Sequence, residues 1–120
     1  MAAVQLKKLG EPLGAGETYG VAEDRRIEGD PRQIAWTQYT DASGHFFAGT
    51  WQSGPGKWHI RYTEEEYCHI TSGTSVITAA DGTAVRVQAG DRFVIPRGFS
   101  GSWEVIEATT KHFVIYEPGA

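Results

Sequence analysis

From Gln33 to the C-terminus, apolar and polar side chains alternate with a period of two, the spacing of half-buried β-strands. Ile34, Trp36 and Gln38 alternate against Ala35, Thr37 and Tyr39, and Asp41 to Gly44 then supplies a turn. His45 to Gln52 reads as the next strand, closed by Ser53-Gly54-Pro55-Gly56. Lys57 to Tyr62 places Trp58, Ile60 and Tyr62 on one face and His59 and Arg61 on the other. The acids Glu64, Glu65 and Glu66 form a bend, Tyr67 to Thr71 resumes the strand, and Ser72-Gly73 is predicted to turn it. Two alternating runs then flank Ala80-Asp81-Gly82-Thr83, and Asp-Gly between such runs is a strong hairpin signal. Arg92 to Pro96, Ser102 to Glu107 and Lys111 to Tyr116 complete the series. Strands recurring about every eight to twelve residues, with no helical period, predict an all-β antiparallel sandwich or closed barrel.

Residues 1–32 have no such pattern. Gly10, Pro12, Gly14 and Gly16 interrupt any helix begun by Val4 to Leu9, and Gly29-Asp30-Pro31 is turn-forming. This segment is expected to be an arm packed on the domain or on a partner subunit, with the barrel proper at 33–120.

A chain of 120 residues is one domain by length, large enough for a single core without staples. The net charge of −4 and the lack of a basic cluster argue against a nucleic-acid partner or an anionic membrane. A single cysteine cannot close an intrachain disulfide, and the N-terminus lacks a long apolar run. A cytoplasmic location is therefore the expectation.

Three spacings single out a family. Glu66 and Gly73 stand seven apart, Gly56 lies upstream, and Gly90, Pro96 and Gly98 follow in G-D-R-F-V-I-P-R-G. Together these resemble the two motifs of the cupin superfamily, whose fold is a jelly-roll barrel, a double-stranded β-helix. The runs Y-T-E-E-E-Y-C-H-I-T-S-G, P-R-G-F-S-G-S-W-E-V and K-H-F-V-I resemble the small subfamily that includes ethanolamine-utilisation protein Q and ureidoglycine aminohydrolase-type cupins. The resemblance spans about 34 to 117 and implies the fold, commonly with a homodimer.

It also implies a place for a metal, which the residues do not furnish. Metal-binding cupins offer two histidines and a glutamate from the first motif and a histidine from the second, a set suited to Mn, Fe, Ni or Zn. Here the first pair falls on Ile60 and Tyr62, or on His59 and Arg61, and the last position is Gly101. Glu66 alone remains, with His59 only under the second spacing and on the wrong strand face. No metal or other cofactor is expected.

Strand parity instead gathers Trp58, Tyr62, Glu66 and Cys68 inward, with Trp103 from the second motif and with Trp51 and Phe99 near the mouth. His45, His59, His69, His112, Glu64 and Glu65 read as bystanders. An aromatic cavity with one carboxylate and one phenol predicts a small-molecule ligand. A buried carboxylate must find a partner or be neutralised, and Lys111, at a position matched by the resemblance, is the candidate. Glu66 and Tyr62 are the candidate general acid or base if the protein is an enzyme, a question that the sequence leaves open. Alternation alone does not separate a binding cage from a packed core at Trp58 and Trp103. A regulatory or structural dimer is the third possibility.

Overall fold

The computed structural model describes residues 3–119. It contains nine strands: β1 (Glu17–Tyr19), β2 (Arg26–Glu28), β3 (Gln33–Thr40), β4 (Phe46–Ser53), β5 (Gly56–Arg61), β6 (Glu65–Ala79), β7 (Ala84–Gln88), β8 (Arg92–Ile95) and β9 (Ser100–Tyr116). Every pairing is antiparallel. Among the described residues no helix is long and apolar enough to cross a membrane.

Two long strands, β6 and β9, pair along most of their length and form the spine. Each meets two shorter partners on its other edge. The first half of β9 pairs with β5 and its second half with β4, while β6 pairs first with β8 and then with β7. One continuous sheet is thereby curled into two facing layers, the jelly-roll arrangement that the strand spacing and the motif resemblance predicted.

The turns close through their own polar residues. Asp41 accepts hydrogen bonds from Ser43 and from the Gly44 amide, Asp81 caps Thr83 N (2.9 Å), and Asp91 caps Gln88 N (2.8 Å).

The sequence misplaces one turn. Ser72-Gly73 does not end a strand, because β6 runs through it with bulges between Ile70 and Ser75. Gly73 has φ +86°, and a Cβ there would fall on the Ala108 carbonyl oxygen of β9. The sheet bends where β6 passes close to the β9 backbone, and only glycine permits both the backbone angle and the approach there. Bulges convert what reads locally as a turn into a curve.

The face of β3 that reads as apolar is also turned away from the barrel. Trp36 and Gln38 reach the N-terminal segment, donating to Gly14 O (3.0 Å) and Gly10 O (2.9 Å). Ala35 and Thr37 look inward instead. Within the first 32 residues, β1 extends β3 and β2 extends β5, so this segment adds a strand to each layer. The core of Trp51, Trp58, Ile70, Trp103, Val105 and Phe113 lies between the layers.

Candidate functional site

Walled in part by the core residues Trp51, Trp58, Trp103 and Phe113, the inward faces of β3, β4, β5, β6 and β9 enclose a half-open cavity of about 270 Å³. Alternation along β6 aims Glu66 into it. The Glu66 carboxylate is 3% exposed and both its oxygens are engaged. Oε1 accepts from Tyr62 Oη at 2.5 Å, and Oε2 lies 3.1 Å from Lys111 Nζ. Lys111 comes from β9, where its register partner on β6 is Ile70, and is 5% exposed.

The lysine ammonium is also held over aromatic faces, 4.6 Å from the Trp51 ring centre and 4.5 Å from that of Trp103. Trp51 packs edge-on against Trp103 (centroids 5.4 Å apart) and tilted against Trp58 (6.3 Å). Behind it, Trp51 Nε1 donates to Gln33 Oε1 at 2.9 Å. Trp103 Nε1 is enclosed and has no partner among the described residues.

The electrostatics of the group are one-sided. Burial pushes the Tyr62 phenol well above its ordinary range, and the neighbouring Glu66 carboxylate adds to the effect, so Tyr62 stays a donor. Burial works against the charge on Lys111, but attraction to Glu66, with smaller help from Cys68 and Tyr19, outweighs it and the net shift is upward. The three groups thus hold one phenol proton, one anion and one cation in fixed positions.

Cys68 sits beneath this group, fully buried, and burial pushes its thiol from 9.0 to about 12. It should react with iodoacetamide at pH 8 only as fast as the protein opens, and at the rate of a free thiol in denaturant. Protection lost in the folded state would contradict this placement. The raised thiol, phenol and ammonium all bind their protons more tightly folded than unfolded. Their joint contribution to stability is complete below about pH 9 and is lost as pH rises towards 12. Urea midpoints should therefore be level between about pH 7 and 9 and fall above that range.

Of the residues that the sequence proposed for this site, Trp51, Trp58, Tyr62, Glu66 and Trp103 line the cavity, as does Lys111. Cys68 lies below the lining. Phe99 is not brought here; it lines a separate apolar cavity with Ile77, Val87 and Ile95. His59 and His112 are exposed, and His69 packs edge-on against His112, its register partner on the outer face (centroids 6.0 Å apart). Glu64, read as a bystander, touches the rim.

Of the lining residues that escaped the sequence reading, Gln33 and Tyr19 bring polar groups beside Trp51. Gln33 begins β3, next to a turn, and Tyr19 lies in the arm. Tyr19 reaches the cavity because β1 pairs it with Gln33, and burial raises its phenol. Only the inward parity of Gln33 with Ala35 and Thr37 could have signalled the first, and nothing local signals the second.

The donor set does not suit a transition metal. Ile60 brings no ligand atom, and at Gly101 any Cβ would fall on the Thr78 carbonyl oxygen, so that position admits no histidine. Among the described residues no three of His, Cys, Asp and Glu converge, and the ammonium of Lys111 already holds the free oxygen of Glu66.

Residues 40–113 match the EutQ-like cupin domain model, and the chain belongs to that family. No curated protein matches it. Among solved structures, a protein of unknown function of the DUF861 family from Pseudomonas syringae pv. tomato superposes with a TM-score of 0.77 at 17% identity over 86% of this chain. The chain spans only 45% of that protein's length. The EutQ protein of Clostridium difficile gives 0.64 at 19% identity, covering 81% of this chain and 79% of its own. A DUF861 family protein from Thermotoga maritima is 28% identical over 53% of this chain and 73% of its own, with a TM-score of 0.52.

Proposed function

We propose that this cupin binds a small organic molecule in the cavity of the barrel, without a metal, with Tyr62, Glu66 and Lys111 as its polar wall. The supporting observation is that this buried, mutually paired trio lines open space. A purely structural ion pair gains from being packed over, since its cost is desolvation. Here the pair is walled by indoles on one side and left facing a cavity on the other. An ammonium takes the place beside Glu66 where a metal-binding cupin would carry a cation.

A thermal-shift screen of small metabolites with the purified chain tests this reading. Binders should raise the unfolding midpoint of the wild type, and Ala35→Trp, which fills the cavity, should abolish the rise. Binding that survives Ala35→Trp would place the ligand elsewhere.

A second reading is an enzyme in which Tyr62 delivers a proton to the bound molecule, favoured by the 2.5 Å hydrogen bond that fixes its phenol on Glu66. Tyr62→Phe separates the two. Under the binding reading it weakens affinity by no more than about tenfold, the value of one hydrogen bond. Under the enzymatic reading it removes turnover of a bound substrate while leaving binding in place.

A further inference from the structure

The ion pair and its phenol have no obvious donor left over, and Gln33 does. An ammonium has three N–H groups, and Lys111 has three partners for them in Glu66 Oε2 and the faces of Trp51 and Trp103. Glu66 is engaged at both oxygens, one of them by Tyr62. Gln33 is different. Its Oε1 accepts from Trp51 Nε1 (2.9 Å), and facing an N–H donor fixes which end of the amide is oxygen. The NH2 is therefore the end left over, and it makes no hydrogen bond among the described residues.

Gln33 is 7% exposed and yet lines the cavity. Among the described residues Trp103 Nε1 is the one buried side-chain N or O atom both enclosed and unpaired. The Gln33 amide nitrogen thus keeps an opening, and the space its side chain lines is the cavity. Trp58, on the same lining, makes no hydrogen bond through Nε1 either, and an indole adds a donor and no acceptor.

The remaining wall narrows the chemistry. Ala35, Phe47, Ile60, Phe113 and Ile115 are apolar. The other polar groups are the Glu64 carboxylate and the hydroxyls of Tyr19 and Thr37, which donate or accept where the Gln33 NH2 only donates. The charges of Glu66 and Lys111 cancel, so an ionised ligand finds no net counter-charge to offset the desolvation of its own. An uncharged acceptor avoids that cost. We infer that the cavity selects a small uncharged molecule with a carbonyl-type oxygen on an apolar body, and that Gln33 Nε2 is the donor that reads this oxygen. The inference rests on the ligand-binding reading above and assigns its polarity and its specificity residue. Cavities of about 150 Å³ take up benzene, so a six-membered ring is a suitable probe.

The test is a titration of the ¹⁵N-labelled chain, following the indole and glutamine side-chain NH signals. The probes are cyclohexanone, methylenecyclohexane (the same shape without an acceptor) and cyclohexanecarboxylate. Cyclohexanone should bind about tenfold more tightly than either of the others, the upper end for one neutral hydrogen bond. Gln33→Met keeps the length of the side chain and deletes the donor without placing a charge in the cavity. It should erase that margin while methylenecyclohexane binds as before. Should the variant fail to fold, the wild-type comparison of ketone with hydrocarbon still decides. Equal binding of these two, a ketone preference that survives Gln33→Met, or tighter binding of the carboxylate would overturn the role of Gln33 and leave the cavity as a binding site. Absence of binding by every probe would remove the underlying reading as well.

Discussion

Replacing Lys111 by methionine is expected to lower the free energy of unfolding by about 3–5 kcal/mol. The loss does not measure the strength of the ion pair. It arises because Glu66 would remain buried, 3% exposed, with Tyr62 as its one partner. Removing one member of a buried pair strands a charge, whereas removing both removes the desolvation cost as well. Glu66→Gln should destabilise for the same reason from the other side, leaving the ammonium over Trp51 and Trp103 without a counter-charge. The double variant Glu66→Gln/Lys111→Met keeps an acceptor for Tyr62 and should be more stable than either single variant. Urea denaturation of the four proteins gives the coupling energy directly. A double variant no better than the singles would mean that the two residues do not act as a pair. Domains of this kind have about 5–15 kcal/mol in total, so the single variants will lie close to the folding threshold and the double variant carries the comparison.

Gly73→Ala is expected to destabilise by about 3 kcal/mol or more. Two independent costs meet there. A non-glycine residue held at φ +86° is strained by about 1–3 kcal/mol. The added methyl must also displace the β9 backbone at Ala108 and Thr109, and overpacking of this kind typically costs about 1–3 kcal/mol. Because the displaced strand also carries Lys111, part of the effect should appear at the cavity, as altered indole signals of Trp51 and Trp103. Gly82→Ala is the control. It shares the positive φ, at +90°, but has open space around it, so its loss should be confined to the strain. Equal losses at the two positions would show that the close approach of β6 to β9 contributes nothing.

Gly73 also shows what kind of information the sequence held. Its spacing from Glu66 was legible as a motif, but its local surroundings read as a turn. The bend is made by strands that are distant in sequence, and β6 passes through Ser72-Gly73 without ending. The site divides along the same line. Tyr62 and Glu66 were legible because inward parity is a property of a single strand. Phe99 was not, because it lies beyond Gly98, in the connection between β8 and β9, where strand parity no longer governs direction. Tyr19 reaches the cavity through a three-residue strand whose partner, β3, is fixed only by pairing. The inward face of β3 was hidden for a related reason. Trp36 and Ile34 look like core, and the N-terminal segment covers them from outside.

Alternation, turn residues and the spacings around Glu66, Gly73, Gly90, Pro96 and Gly98 determined the antiparallel jelly roll, and they made Glu66 with Tyr62 the centre of interest. Those signals are local, and local geometry fixes which way a strand side chain points. The tertiary structure decided what those side chains meet. It set Lys111 against Glu66 between two indoles, brought Gln33 and Tyr19 to the cavity and left the four histidines off its lining. Register across bulged strands and the curl of the sheet settle such meetings, and both depend on contacts between residues far apart in the chain.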